Sequence, residues 1–253
     1  MTRVGKTIAG NLDLIAVGVL SGALALAPFL GWGAPGDNGA LSVGVAALVI
    51  TLAVVLRWRD AGAVDLVGVP CTAAAGAGLG LLPTFGGFEP ALLLPLIAGF
   101  VLGVRGGFAY GMVATAGAMA AGLQWGPWLP YQVLGGAWLG VLGGLAARAV
   151  GRVPGIRGRG AVAVAALAGG YLYGVFLNAT IWTGLFAGAW RTQWGSGVPL
   201  PLGLLHFAVF YCSTALLWDT LRGLGLAILV VALPWTLLLR LPLRWRQRAP
   251  ATA

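Results

Sequence analysis

Charge is what this chain has least of. Asp, Glu, Lys and Arg make up 8% of its 253 residues, against roughly 25% in an average soluble domain. Six acidic and 15 basic side chains cannot cover a globule of this length with water-compatible surface. The same scarcity excludes a disordered chain, which combines high charge with low hydrophobicity. Histidine occurs once and cysteine twice, and Cys71 and Cys212 have no metal-ligand spacing around them. Neither a zinc site nor a disulfide framework is supported. Glycine is plentiful, at 43 residues, but follows no three-residue period, which excludes collagen. What is present is apolar: 59% hydrophobic residues and a mean hydropathy of +0.94. The composition predicts an all-α, polytopic integral membrane protein.

A membrane-spanning helix needs about 20 predominantly apolar residues. The rare charges and the prolines of Gly126-Pro127-Trp128-Leu129-Pro130 divide the chain into eight predicted spans. These cover residues 12–31, 40–57, 64–82, 90–104, 106–123, 132–149 and 161–183, with a final long element inside 203–240. All basic residues except Arg191 and Arg222 then fall on one side. The positive-inside rule makes that side cytoplasmic, with both termini there and the chain in the plasma membrane. The net charge of +9 therefore reads as arginines meeting anionic headgroups, not as nucleic-acid binding. The first span is too long for a signal-peptide core and reads as a retained helix.

The polar break around Arg57-Trp58-Arg59-Asp60 separates an N-terminal two-helix extension, 1–62, from a six-helix core, 63–249. The outer loops of the core are rich in aromatics, Gly and Pro. The bland reading is an interfacial aromatic belt. The sharper one is an outward-facing substrate pocket walled by Phe85, Phe88, Trp125, Trp128, Tyr131 and Trp182. In it, Gln132 and Asn178 would orient the ligand through donor and acceptor atoms.

Other candidate chemistry is sparse. Gly5-Lys6-Thr7 lacks the upstream glycine and strand of a P-loop, so this chain carries no ATPase motif. The sequence offers the lone His206 no second histidine or nearby carboxylate pair, and no paired intramembrane carboxylates are apparent. Asp219 and Arg222 stand three apart on a predicted helix, share a face and can pair. Ionisable groups at membrane depth mark function by default, so both join the candidate substrate site. On the third span Gly68, Thr72 and Gly76, with Ala73 and Ala77 beside them, form a small-residue face. Such a face suits close helix packing, inside the chain or against another membrane subunit.

Several segments resemble the substrate-binding (S) components of energy-coupling factor vitamin transporters, the actinobacterial branch in particular. They are Gly103-Val104-Arg105-Gly106-Gly107-Phe108-Ala109-Tyr110-Gly111, Gly126-Pro127-Trp128-Leu129-Pro130-Tyr131-Gln132, Tyr173-Gly174-Val175-Phe176-Leu177-Asn178, and Ser213 through Asp219 with Arg222. The resemblance covers 63–249 and implies a six-helix core that captures a vitamin or related micronutrient from outside, without a cofactor. It also implies partners: a transmembrane coupling subunit, met by the small-residue face, and two ATPase subunits. The Gly-Pro-Trp element is similar to that of S components for cobalamin-like ligands. Where relatives carry a basic residue near the end of the first core helix, this chain has Gly76-Ala77-Gly78-Leu79-Gly80. The alternative is a small polytopic membrane enzyme or assembly factor that uses Asp219 and Arg222.

Overall fold

A computed structural model describes residues 12–26, 39–60, 68–84, 86–123, 126, 128–151, 155–184 and 198–235. Among these residues the chain is nearly all helical and contains no strand. The helices are α1 (Leu12–Leu26), α2 (Gly39–Asp60), α3 (Gly68–Gly80), α4 (Leu93–Leu102, entered through a 3-10 turn at Pro90–Leu92), α5 (Val104–Ala121), α6 (Leu129–Val150), α7 (Ile156–Gly184), α8 (Leu200–Thr214) and α9 (Leu216–Ala232).

Glycine and proline set the boundaries. Gly103 alone separates α4 from α5, with φ of 86° and ψ of −177°, a conformation that a side chain resists. This places Arg105 in the first turn of α5. Pro130 lies just past the expected break, which falls between α5 and α6. It sits in the first turn of α6, where a missing amide hydrogen costs nothing.

The predicted final element is broken. α8 and α9 meet at Ala215 with a bend of 62°. Just before the bend, Ser213 Oγ and Thr214 Oγ1 donate to the carbonyls of Val209 and Phe210, a back-bonding that favours bending.

α4, α5 and α6 pack backbone to backbone. A Cβ on Gly140 would collide with the Gly107 carbonyl, one on Gly99 with the Gly140 carbonyl, and one on Gly143 with the Leu96 carbonyl. Dispersion between closely fitted backbones is what remains to hold helices together when the solvent is as apolar as they are. α7 and α9 flank this unit, their close approach made at Gly170 and Gly223. α1 and α2 lie on its other side, where Val17, Leu24, Ala47 and Val55 join Phe108, Tyr131 and Leu134 in one core.

The outer surface is apolar: Val19, Val49, Leu56, Val164, Leu205, Leu217 and Ile228 are all exposed. α6 and residues Ile156–Ala179 of α7 are long and apolar enough to cross a membrane, and α8 with α9 make a third span if the bent pair is counted as one.

Candidate functional site

The bend at Ala215 sets up the site. Tyr211 in the last turn of α8 and Asp219 in the first turn of α9 are turned toward each other, and the Tyr211 hydroxyl donates to Asp219 Oδ2 at 2.8 Å. Arg222, one turn on, donates from Nη1 to Asp219 Oδ1. Asp219 is 1% exposed and Arg222 7%, so the pair is withdrawn from the surface. The carboxylate can lie so deep because its neighbour on α7 is Gly174, where any Cβ would occupy the position of the Asp219 carboxylate.

Glu89 reaches the same arginine from a different part of the chain. Gly86 and Gly87 have φ of 57° and 75°, a left-handed turn that glycine allows. The turn lays the loop on α9, with Gly87 against Trp218 and near the Arg222 guanidinium. Glu89 Oε1 then stands 3.9 Å from Arg222 Nη2. Burial lifts the Glu89 carboxyl above the usual carboxylate range, with Arg222 pulling it down and Asp219 pushing it up.

Tyr173 closes the cluster from α7. Its ring lies over Gly135 of α6, and the Arg222 guanidinium sits 5.2 Å from the ring centroid. Gln132 stands about one turn before Gly135 on α6. Tyr171, also on α7, pairs with Thr220 at 2.9 Å and ties α7 to α9. Four elements therefore converge: the loop before α4, and helices α6, α7 and α9, with α8 holding Asp219.

The cluster is not internally satisfied. Glu89 Oε2, Gln132 Oε1, the Tyr173 hydroxyl and Arg222 Nε are buried and have no hydrogen-bond partner. Buried polar atoms are paired in about nine cases in ten, so these four stand out, as do the hydroxyls of Ser21, Thr51 and Thr115 elsewhere. A small cleft lined by Leu79, Gly80, Thr84, Glu89, Pro90, Ala91, Ala118 and Met119 opens beside the carboxylate.

Of the residues chosen from sequence, the structure brings together Gln132, Asp219 and Arg222, with Phe88 packed on Gly225 of α9 next to them. It does not bring the others there. Tyr131 is buried against Phe176, ring centroids 5.7 Å apart, on the side facing α2. Asn178 Nδ2 donates to the Gly174 carbonyl of its own helix at 2.8 Å. Trp128 folds back over Gly126. Phe85, Trp125 and the Trp182 side chain lie outside the described residues. The expected absence of paired carboxylates is corrected by Glu89, which joins Asp219 on Arg222. Glu89, Tyr173 and Tyr211 were missed. The one available signal was that Glu89 is the sole glutamate of the chain.

The small-residue face of α3 is used within the chain. A Cβ on Gly76 would collide with the Ala114 carbonyl, and one on Gly117 with the Ala73 carbonyl. Gly76 and the Ala73 backbone therefore pack on α5 and are not free for a partner, while Gly68 is buried and Thr72 and Ala77 are half-buried. The exposed face of α3 carries Cys71, Ala74, Ala75 and Gly78 instead.

Cys71 and Cys212 are free and exposed. Among the described residues, no three His, Cys, Asp or Glu side chains stand where they would hold a metal ion. Comparison with protein-family models, with curated proteins and with solved structures returns no match.

Proposed function

We propose that the chain is the solute-capturing membrane subunit of an ATP-driven importer of the energy-coupling factor type. In this reading it crosses the plasma membrane eight times, keeps both termini in the cytoplasm and takes up a vitamin or related micronutrient. The observation that carries the proposal is the group of four unpartnered polar atoms around Arg222, buried inside an otherwise apolar bundle. Desolvating such atoms without partners costs free energy that a bound solute can restore.

Two contacts agree with placing the segments they join on one side of the bundle. Arg105 at the start of α5 pairs with Asp13 at the start of α1 at 3.0 Å, and Arg159 near the start of α7 donates to the Val231 carbonyl near the end of α9. Both contacts join segments assigned to the cytoplasmic side. Hydrolysis of ATP falls to partner subunits, and the exposed α3 face of Cys71, Ala74, Ala75 and Gly78 is the surface offered to a coupling subunit.

The pair of carboxylates on Arg222 also suits a membrane enzyme, the second reading. One experiment separates the two. The detergent-purified chain should carry an unmodified solute through gel filtration and release it chemically unchanged. Recovery of a converted product, with turnover of added compound, would favour the enzyme.

A further inference from the structure

The charge of the cluster and its spare atoms go further than capture in general. Glu89 and Asp219 contribute two negative charges when ionised, and Arg222 contributes one positive. No other charged side chain among the described residues contacts these three. With both acids ionised, one net negative charge is left in apolar surroundings; burial opposes that state at Glu89, and a bound cation would favour it. Asp219 already accepts from Arg222 on one oxygen and from Tyr211 on the other. The acceptors without a partner are Glu89 Oε2 and Gln132 Oε1; the Tyr173 hydroxyl is unpartnered too, and its ring lies at Gly135, about one turn along α6 from Gln132. Gln132 is 5% exposed and Tyr173 1%, so water does not serve them as it would at a surface.

We propose that Glu89, Gln132 and Tyr173 form a binding site for a monovalent cationic group, with Arg222 and Asp219 holding Glu89 in place. The chemistry is that of an alkali-metal ion or a primary ammonium group: one positive charge, small radius and preference for oxygen ligands. The group would neutralise the ionised cluster and be met by acceptors that carry no hydrogen bond within the chain. The two sources are a sodium ion bound on its own and an ammonium group carried by the solute. This inference rests on the cluster being the capture site. It can fail while retention of a solute by the purified chain still stands.

The test is a thermal-unfolding titration of the full-length chain in detergent, at constant ionic strength maintained with N-methylglucamine chloride. One arm adds sodium chloride and the other methylammonium chloride. The site predicts a saturable rise in Tm with at least one of them. A response to sodium alone assigns a free ion, and a response to methylammonium alone assigns the solute's ammonium group. Glu89→Gln, which removes the charge and keeps the shape, should abolish the response. Tyr173→Phe removes only a hydroxyl and should weaken the apparent affinity about three- to tenfold. The proposal is overturned if neither cation gives a saturable shift in the unsubstituted chain, whatever the variants do. It is equally overturned if both variants fold and respond as the parent does.

Discussion

Tyr211 and Asp219 lie eight residues apart, and the hydroxyl of one donates to the carboxylate of the other at 2.8 Å. Along a straight helix that separation is about 12 Å. The contact exists because the chain bends by 62° between them, where Ser213 and Thr214 bond back to their own helix. The bend therefore positions the acid that anchors Arg222.

Removing the Tyr211 hydroxyl should be felt at Asp219. Tyr211→Phe leaves Oδ2 buried without its donor, which costs about 1–3 kcal/mol. A lowered unfolding midpoint in detergent, with solute affinity also reduced, is the expected outcome.

Arg222 carries more. Arg222→Met deletes the one positive charge between two buried carboxylates, and breaking a buried pair in this way costs about 3–5 kcal/mol. The double variant Arg222→Met with Asp219→Leu should recover much of that stability but not solute retention. Thermal unfolding and binding, measured side by side, check both halves.

Glycine positions separate close packing from mere abundance. Gly174→Ala places a methyl group where the Asp219 carboxylate stands, and Gly140→Ala drives one into the Gly107 carbonyl. Each should destabilise by about 1–3 kcal/mol. Gly78→Ala meets nothing within 4 Å and should be neutral or slightly stabilising, since alanine is the better helix former. Equal loss at all three positions would contradict the packing described.

Orientation in the membrane can be read by labelling. In a chain freed of Cys71 and Cys212, a cysteine at position 157 should react with an impermeant reagent only from the cytoplasmic face, and one at 191 only from outside. The reverse pattern at either position would refute the charge-based topology.

How much of this was legible in the sequence differs between fold and site. Helical content follows from long apolar runs punctuated by glycine, proline and charge. The break at Ala215 was harder to read, because no proline or glycine marks it. Asp219 and Arg222 announce themselves as charges three apart in an apolar run. Glu89 does not, because its role depends on a left-handed Gly86-Gly87 turn that returns the loop to α9. Aromatic composition was a poor guide to position: Tyr131 lies against Phe176 and away from the cluster, whereas Tyr173, buried in mid-helix, reaches it. The small residues of α3 signalled close packing correctly, but sequence does not say whether the neighbour is another subunit or α5.

The central claim is that the cluster around Arg222 captures a solute. Its most direct test is mass spectrometry of small molecules extracted from the purified chain and from its Gln132→Ala variant, expressed and handled identically. The account predicts one compound in near-stoichiometric amount from the parent, and its loss or strong depletion from a variant that remains folded. No retained compound in the parent under any growth condition, or equal retention by the two, would contradict it.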